Sequence, residues 1–158
     1  YTGMPTTPEI VYGFGPSFRY KKFDFSFFFQ GAARVSIMMN GIHPFGDGET
    51  RSVLQFIADD YWSEDNQNIY AKYPRLSKRD NPNNTAWSTY WQRNGAFLKL
   101  KNAEIGFNHK FFRIYLRGSN LLTFSPFKYW DPEMGSGSGL SYPTQRVFNV
   151  GVQFSINK

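Results

Sequence analysis

The sequence predicts an all-β protein, a segment of an antiparallel transmembrane β-barrel that comprises about the last five strands of a larger barrel. Aromatic residues make up 20% of the chain although its mean hydropathy is −0.51, as expected where lipid-facing and lumen-facing side chains alternate. Five segments place large apolar residues at every second position, which is the period of a β-strand. Short and long connections alternate between these segments, like the turns and loops at the two ends of a barrel.

The first two predicted strands form a tight hairpin. Residues 10–21 alternate large apolar residues with small or polar ones, and Pro16 predicts a bulge or weak pairing in this strand because it lacks a backbone donor. Residues 23–34 repeat the pattern more sharply, with a phenylalanine at every second position from Phe23 to Phe29. Only Lys21-Lys22 separates the two segments, which predicts a hairpin turn.

Three further strands are predicted near residues 95–108, 111–123 and 146–157. In the first of these, the apolar positions change parity near Lys101 and Asn102. One extra residue there would restore a single apolar face, so the sequence predicts a β-bulge. In the other two strands, one face carries Phe112, Ile114, Leu116 and Gly118, and one face carries Phe148, Val150, Val152, Phe154 and Ile156.

The two long connections, 35–87 and 124–143, are rich in glycine, proline and polar residues. The first is too long for a plain connection in a compact domain, which predicts a functional or disordered loop. Apolar spacing near residues 50–61 favours a short helix within it. The asymmetry of barrels puts both long loops outside the cell, and the short turns at Lys21-Lys22 and Asn108–Lys110 in the periplasm.

Five strands cannot close a barrel, because single-chain bacterial barrels begin at eight strands and open edges in lipid are costly. We therefore expect an upstream portion of the same polypeptide to supply the remaining strands. The chain contains neither a signal peptide nor an apolar run that would make a membrane helix, so a targeting sequence is also expected upstream.

Composition argues against several other classes. The 18 lysines and arginines give a net charge of +6, but they are scattered, which argues against nucleic-acid binding. The absence of cysteine excludes a disulfide scaffold and cysteine-based zinc sites. His43 and His109 are too far apart in sequence to show metal-ligand spacing.

The acidic residues of the long connections form no recognisable catalytic or metal site. Asp59-Asp60 and Glu64-Asp65 could be the paired carboxylates of a glycoside-cleaving site, but we interpret them as residues of a solvated loop. Asp131 and Glu133 match no EF-hand spacing, and a turn at Trp130-Asp131-Pro132 explains them as well as calcium binding does. We therefore expect neither an enzyme nor a cofactor.

A series of short phrases, specific in their order and spacing, covers nearly the whole chain. They are Tyr12-Gly-Phe-Gly-Pro-Ser-Phe-Arg-Tyr, Phe23-Asp-Phe-Ser-Phe-Phe-Phe-Gln-Gly, Asp60-Tyr-Trp, Tyr73-Pro-Arg-Leu, Ser88-Thr-Tyr-Trp, Phe97-Leu-Lys-Leu-Lys-Asn, Ile114-Tyr-Leu-Arg-Gly-Ser-Asn-Leu-Leu-Thr-Phe, Trp130-Asp-Pro-Glu and Tyr142-Pro-Thr-Gln-Arg-Val-Phe-Asn-Val-Gly. Taken together, they resemble the C-terminal β-barrel portion of the SusC/RagA family of TonB-dependent (TonB-linked) outer-membrane transporters.

This resemblance implies that residues 1–158 are the C-terminal part of a nutrient-uptake barrel in a Bacteroidetes-like outer membrane. The whole protein would contain an N-terminal plug, and a SusD-like lipoprotein would cap it outside. The TonB complex would act on the missing part, and the cargo would be glycans or peptides. The chain end resembles the signal read by the barrel-assembly machinery, carried by Asn149, Gly151, Phe154 and Ile156.

Two groups of side chains are candidate functional residues. Aromatic residues of the first long loop would stack on sugars or contact a partner, although loop packing or membrane anchoring explains them equally well: Tyr61, Trp62, Tyr70, Tyr73, Trp87 and Trp91. Charged residues of the strands would face the lumen, with plug contact or cross-strand ion pairing as the alternative: Asp24, Lys99, Lys101, Glu104, Arg113 and Arg117.

Two other functions remain open from the sequence. A passive outer-membrane porin has the same strand pattern, and a plug domain upstream would exclude it. A soluble β-sandwich carbohydrate-binding module would bury the phenylalanine-rich faces between two sheets.

Overall fold

One antiparallel sheet carries most of the regular structure. The computed structural model describes residues 3–46, 49–50, 52–79 and 81–155. The strands are β1 Ile10–Phe14, β2 Ser17–Tyr20, β3 Phe23–Ala33, β4 Ser36–Met38, β5 Phe45–Gly46, β6 Glu49–Thr50, β7 Gln92–Asn94, β8 Phe97–Asn108, β9 Phe112–Phe124 and β10 Val147–Phe154. The helical turns are α1 Gln55–Ala58, α2 Pro82–Thr85 and two 3-10 turns, Thr89–Trp91 and Pro132–Met134.

The main sheet has the order β1-β3-β8-β9-β10, and β2 also pairs with β3. Every long strand is antiparallel to the long strand that precedes it in the chain. The β1–β2 segment and β10 therefore lie at the two edges of the described sheet. No helix in the described part of the chain is long and apolar enough to cross a membrane.

Pro16 interrupts the edge strand without changing its register. β1 ends with Phe14 paired to Phe29, and β2 resumes the same register against β3 after two residues. The backbone N–H of Phe27 still donates to the Pro16 carbonyl at 3.0 Å. The structure therefore has a gap in pairing at Pro16, and the pairing shows no bulge there.

The predicted bulge in β8 is confirmed. Leu100 and Asn102 pair with the adjacent residues Phe29 and Phe28 of β3, so Lys101 has no cross-strand partner on that side. One inserted residue shifts the alternation by one position, which keeps the apolar side chains on both sides of the bulge on a single face.

The two faces of the sheet differ in chemistry. On one face, apolar residues lie directly opposite one another from strand to strand, as in the series Phe25, Ile105, Leu116 and Val150. Many of these side chains are exposed. The opposite face carries most of the charged and small residues of the same strands. We call these the apolar face and the polar face.

The connections lie at opposite ends of the sheet according to their length. The two short turns are adjacent, because the backbone N–H of Asn108 donates to the Lys22 carbonyl at 2.7 Å. The end of β10 lies at the same level, with the Ser155 N–H bonded to the Phe111 carbonyl at 3.0 Å. Both long connections, 34–96 and 125–146, leave from the other end of the sheet.

The two long connections fold together into one structure, which we call the loop cap. Within it, β4 pairs with β7, and α1 is a single turn inside the stretch where the sequence favours a short helix. The loop cap has a hydrophobic core of its own, formed by Ile37, Met38, Met39, Ile42, Ile57, Tyr73, Trp91 and Phe127. A packed core makes the loop cap an ordered structure that can present a fixed surface.

Candidate functional site

Four of the predicted lumen-facing residues form a ladder of ion pairs across the polar face. Arg113 Nη2 lies 2.5 Å from Asp24 Oδ2 and 2.6 Å from Glu104 Oε1, so one guanidinium joins β9 to both β3 and β8. Arg117 Nε donates to Glu104 Oε2 at 2.6 Å, and Asn108 donates to Asp24. The side chains thus make cross-strand ion pairs, which the sequence predicts as the alternative to plug contact.

The other two predicted lumen-facing residues, Lys99 and Lys101, contact the loop cap. Lys99 is 1% exposed, and its Nζ lies 2.5 Å from both Asp131 Oδ2 and Glu133 Oε2. Lys101 Nζ is 2.8 Å from Glu133 Oε1. A buried ammonium is tolerated only where it is paired, so these four residues act as a unit, the lysine hub.

The lysine hub keeps its two carboxylates ionised. Burial raises the pKa of Asp131. The hydrogen bonds that Asp131 accepts from Lys99 and from the Glu133 N–H outweigh burial, so the pKa of Asp131 lies below its usual value. The same balance holds for Glu133, where Lys101 and Lys99 lower the pKa against burial. Two lysines therefore face two carboxylates, and the hub is close to neutral.

The sequence indicates a turn or a calcium site at Asp131 and Glu133, and it gives no sign of their contacts with Lys99 and Lys101. Both carboxylates bind lysine ammonium groups. Across the described ranges, no group of three His, Cys, Asp or Glu side chains could hold a metal ion. The only signal in the sequence was the Trp130-Asp-Pro-Glu phrase itself, which does not indicate a distant partner.

Two of the predicted aromatic contact residues lie inside the loop cap. Tyr73 is 4% exposed and Trp91 is 3% exposed, and their rings pack together with a centroid separation of 5.5 Å. The His43 Nδ1 atom lies 2.9 Å from the Tyr73 hydroxyl, and Trp91 Nε1 donates to the Asn84 carbonyl at 2.9 Å. The prediction of a surface contact is therefore corrected for Tyr73 and Trp91, which stabilise the core.

The remaining four aromatic candidates differ in exposure. Tyr70 is 85% exposed and Trp87 is 74% exposed, so both rings are available to a ligand or partner. Tyr61 and Trp62 are half-buried, and the Trp62 backbone N–H donates to the Tyr73 carbonyl at 2.9 Å. The structure therefore favours Tyr70 and Trp87 as contact residues over the other members of the group.

Three of the four residues of the predicted assembly signal lie on β10 at the edge of the sheet. Asn149 and Gly151 are on the polar face, opposite Arg117 and Tyr115, while Phe154 is exposed on the apolar face. Ile156, the last member of the predicted signal, lies outside the described residues. An exposed edge strand offers unpaired backbone groups to another strand.

Comparisons with known proteins identify relatives of this chain. No family model matches it. Two curated proteins of Formosa agariphila, TonB-dependent receptor P3 and TonB-dependent receptor P26, are each 28% identical to it over 92% of its length. The chain is similar to part of a TonB-dependent receptor. It spans 16% and 17% of the length of these two relatives, so it matches one portion of a much longer TonB-dependent receptor.

Solved structures show the fold. The RagAB peptide importer in its open-open state matches 95% of this chain with a TM-score of 0.70 and 24% identity. Another structure of the RagAB peptide transporter matches 94% with a TM-score of 0.68 and 23% identity. In both, the chain covers 17% of the solved chain. The predicted fold class, an antiparallel transmembrane β-barrel segment, and the predicted resemblance to SusC/RagA-type TonB-dependent transporters are confirmed.

Proposed function

We propose that this chain is part of a TonB-dependent active importer of glycans or peptides in the bacterial outer membrane, which works with a SusD-like lipoprotein. The observation that carries the proposal is the division of the sheet into an exposed apolar face and an ion-paired polar face. Such a sheet fits a barrel wall, with lipid on the apolar face and the lumen on the polar face.

The charged ladder supports the inner position of the polar face. Arg113, Asp24, Glu104 and Arg117 would be costly against hydrocarbon, but they are stable in a lumen that holds water or another part of the protein. Facing inward, their remaining hydrogen-bonding capacity can meet the plug that the proposal places upstream.

The loop cap supports a role in cargo or partner contact at the outer mouth. Its own core holds the loops in one arrangement, so that Tyr70 and Trp87 are exposed at defined positions. Aromatic rings of this kind are common anchors in interfaces. The likeness of this chain to part of the RagAB peptide importer also supports a role in import. The TonB complex would act through the rest of the protein, and the barrel-assembly machinery would read β10.

Energy-dependent uptake by the full-length protein tests this proposal. Cells would receive labelled oligosaccharides and labelled peptides, with and without TonB, and accumulation would be measured against an equal amount of barrel in the outer membrane. We expect uptake of one cargo class to fall to background without TonB. Uptake that is unchanged would indicate a passive porin, and recovery of the protein in the soluble fraction would indicate a binding module.

A pair of variants tests the contribution of the loop cap to the same uptake. We expect the double variant Tyr70→Ala and Trp87→Ala to lower uptake at equal barrel abundance, because both rings are exposed on the loop cap. The control is Phe111→Ala, which removes an exposed ring at the opposite end of the sheet. Equal uptake by both variants would remove Tyr70 and Trp87 from the cargo or partner site.

A further inference from the structure

A cavity of about 290 Å³ lies where the polar face of the sheet meets the loop cap. The sheet contributes its floor, since three neighbouring strands direct residues to it from the same face: Val11, Gln30, Ala32 and Phe97. The loop cap contributes the walls, which include Val35 and Glu133. The cavity therefore lies on the side of the sheet that carries the ion-pair ladder and the lysine hub.

The lining of this cavity is mostly apolar, and two of its four polar side chains, those of Glu133 and Ser36, already have partners. Glu133 accepts hydrogen bonds from both Lys99 and Lys101. The Ser36 hydroxyl accepts a hydrogen bond from the Gln92 side chain at 2.9 Å. Few polar groups are thus left to bind a ligand that is polar on every side.

The other two polar side chains of the lining belong to Thr6 and Gln30, and Gln30 lies on the floor that the sheet provides. Its side-chain amide has no hydrogen-bond partner within the part of the chain that the structure describes. Its cross-strand neighbours do not provide one, because Gly13 has no side chain and the Lys99 ammonium binds carboxylates. A free amide offers donors and an acceptor together, which is the pattern that a peptide backbone can pair with.

We propose that this cavity binds one apolar side chain of a peptide cargo, while the Gln30 amide hydrogen-bonds to the peptide backbone beside it. This inference rests on the proposed function, because it names the cargo class of the proposed importer. The volume is at the lower end of the range for small-molecule sites, so it suits one side chain of a longer ligand. A sugar unit would leave hydroxyl groups without partners against the apolar lining, which is unfavourable.

The lysine hub positions one wall of the cavity. Glu133 is both a wall residue and the carboxylate shared by Lys99 and Lys101. The 3-10 turn Pro132–Met134 is held against the sheet by these ion pairs, which keeps the wall in place. The site is therefore prepared before the ligand arrives, which lowers the cost of binding.

Binding by the full-length protein, purified in detergent, tests this inference. The probes are the pentapeptides Gly-Gly-Leu-Gly-Gly and Gly-Gly-Gly-Gly-Gly, with a linear glucose pentasaccharide as the glycan. We expect the leucine peptide to bind about tenfold more tightly than the all-glycine peptide, since one buried apolar side chain gives discrimination of this order. Equal binding of the two peptides, or tighter binding of the glycan, would overturn the proposal.

Variants locate the preference at the cavity. Ala32→Leu fills the floor of the cavity, so this variant should bind the leucine peptide and the all-glycine peptide about equally. Ser26→Leu lies on the same face of β3 but outside the cavity, and it should retain the preference for the leucine peptide. If Ala32→Leu does not fold, Val11→Phe replaces it as the test. This substitution also narrows the cavity, and Val11 is more exposed because it lies on the edge strand β1. Gln30→Ala should weaken both peptides equally. If a folded Ala32→Leu or Val11→Phe variant keeps the preference for the leucine peptide, the leucine side chain does not bind in this cavity.

This experiment separates the inference from the proposed function, because binding in detergent needs no energy source. If uptake is independent of TonB, the importer proposal is overturned, but a measured preference for the leucine peptide would still support the binding site. TonB-dependent uptake of a glycan, with no discrimination between the two peptides, would support import and overturn the peptide site.

Discussion

Tyr115 and Gly151 illustrate how single residues shape the polar face. They lie opposite each other on β9 and β10, and a Cβ atom at position 151 would overlap the Tyr115 ring. The same ring lies 5.2 Å from the Arg113 guanidinium and 5.9 Å from that of Arg117. The ring therefore covers the glycine backbone and packs against both arginines of the ladder.

We expect Gly151→Val to destabilise the barrel wall by about 1–3 kcal/mol, because the added side chain must displace the Tyr115 ring. The measurement is the free energy of unfolding of the full-length barrel in lipid vesicles. The double variant Gly151→Val with Tyr115→Ala should recover part of the loss, because the overlapping ring is then absent. An unchanged free energy in the single variant would show that this packing has no energetic role.

At the scale of the elements, the second long connection is attached to the rest of the molecule in two ways. Main-chain hydrogen bonds of 3.0 Å join Gly137 to Met38 and to Asn40 in the first long connection. The lysine hub joins Asp131 and Glu133 to the sheet. The loop cap is thus connected both within itself and to β8.

We expect Lys99→Met to release the 125–146 connection from the sheet. The variant leaves two carboxylates facing one remaining lysine in a mostly buried setting, and the loss of one partner of a buried ion pair typically costs about 3–5 kcal/mol. Hydrogen–deuterium exchange should show lower protection in residues 125–146 and unchanged protection in β3. Lys110→Met, an exposed lysine at the other end of the sheet, is the control. Equal protection in both variants would argue against the hub.

The lysine hub also predicts a pH dependence of the loop cap. The pKa values of Asp131 and Glu133 lie below their usual values in the folded state. A lowered folded pKa gives stability that is present above the unfolded pKa, about 4, and is lost as the pH falls through the folded value. Exchange in residues 125–146, corrected for intrinsic rates, should therefore rise below about pH 4. The double variant Asp131→Asn and Glu133→Gln should lack this rise.

For the whole molecule, the decisive property is the separation of the two faces over the entire width of the sheet. Val150 and Asn149 are adjacent on β10, yet Val150 is opposite Leu116 on the apolar face and Asn149 is opposite Arg117 on the polar face. Because side chains alternate between the two faces, residues that are adjacent in sequence lie on faces of opposite chemistry.

We expect Val150→Arg to reduce the folded barrel in the outer membrane far more than Asn149→Arg. A basic residue on the lipid face costs about 2–4 kcal/mol near the middle of the bilayer, whereas a lumen substitution is tolerated. The amount of SDS-resistant barrel, compared between the two variants of the full-length protein, measures the difference. Equal amounts would contradict the assignment of the apolar face to lipid.

The sequence by itself determined the strands of the main sheet, its two faces and the bulge at Lys101. These features follow from a period of two residues and from one change of parity, which are local properties of the chain. The weakness at Pro16 was likewise predictable, because proline lacks a backbone donor wherever it lies.

Only the tertiary structure decided which loop residues are buried and which charges are paired. The partners of Lys99 are 32 and 34 residues away in the chain, and no periodic pattern connects them. Tyr73 and Trp91 are indistinguishable in sequence from Tyr70 and Trp87, yet the first two fill the core of the loop cap and the others are exposed. Burial in an irregular loop depends on contacts between distant segments, and those contacts exist only once both long connections have folded together.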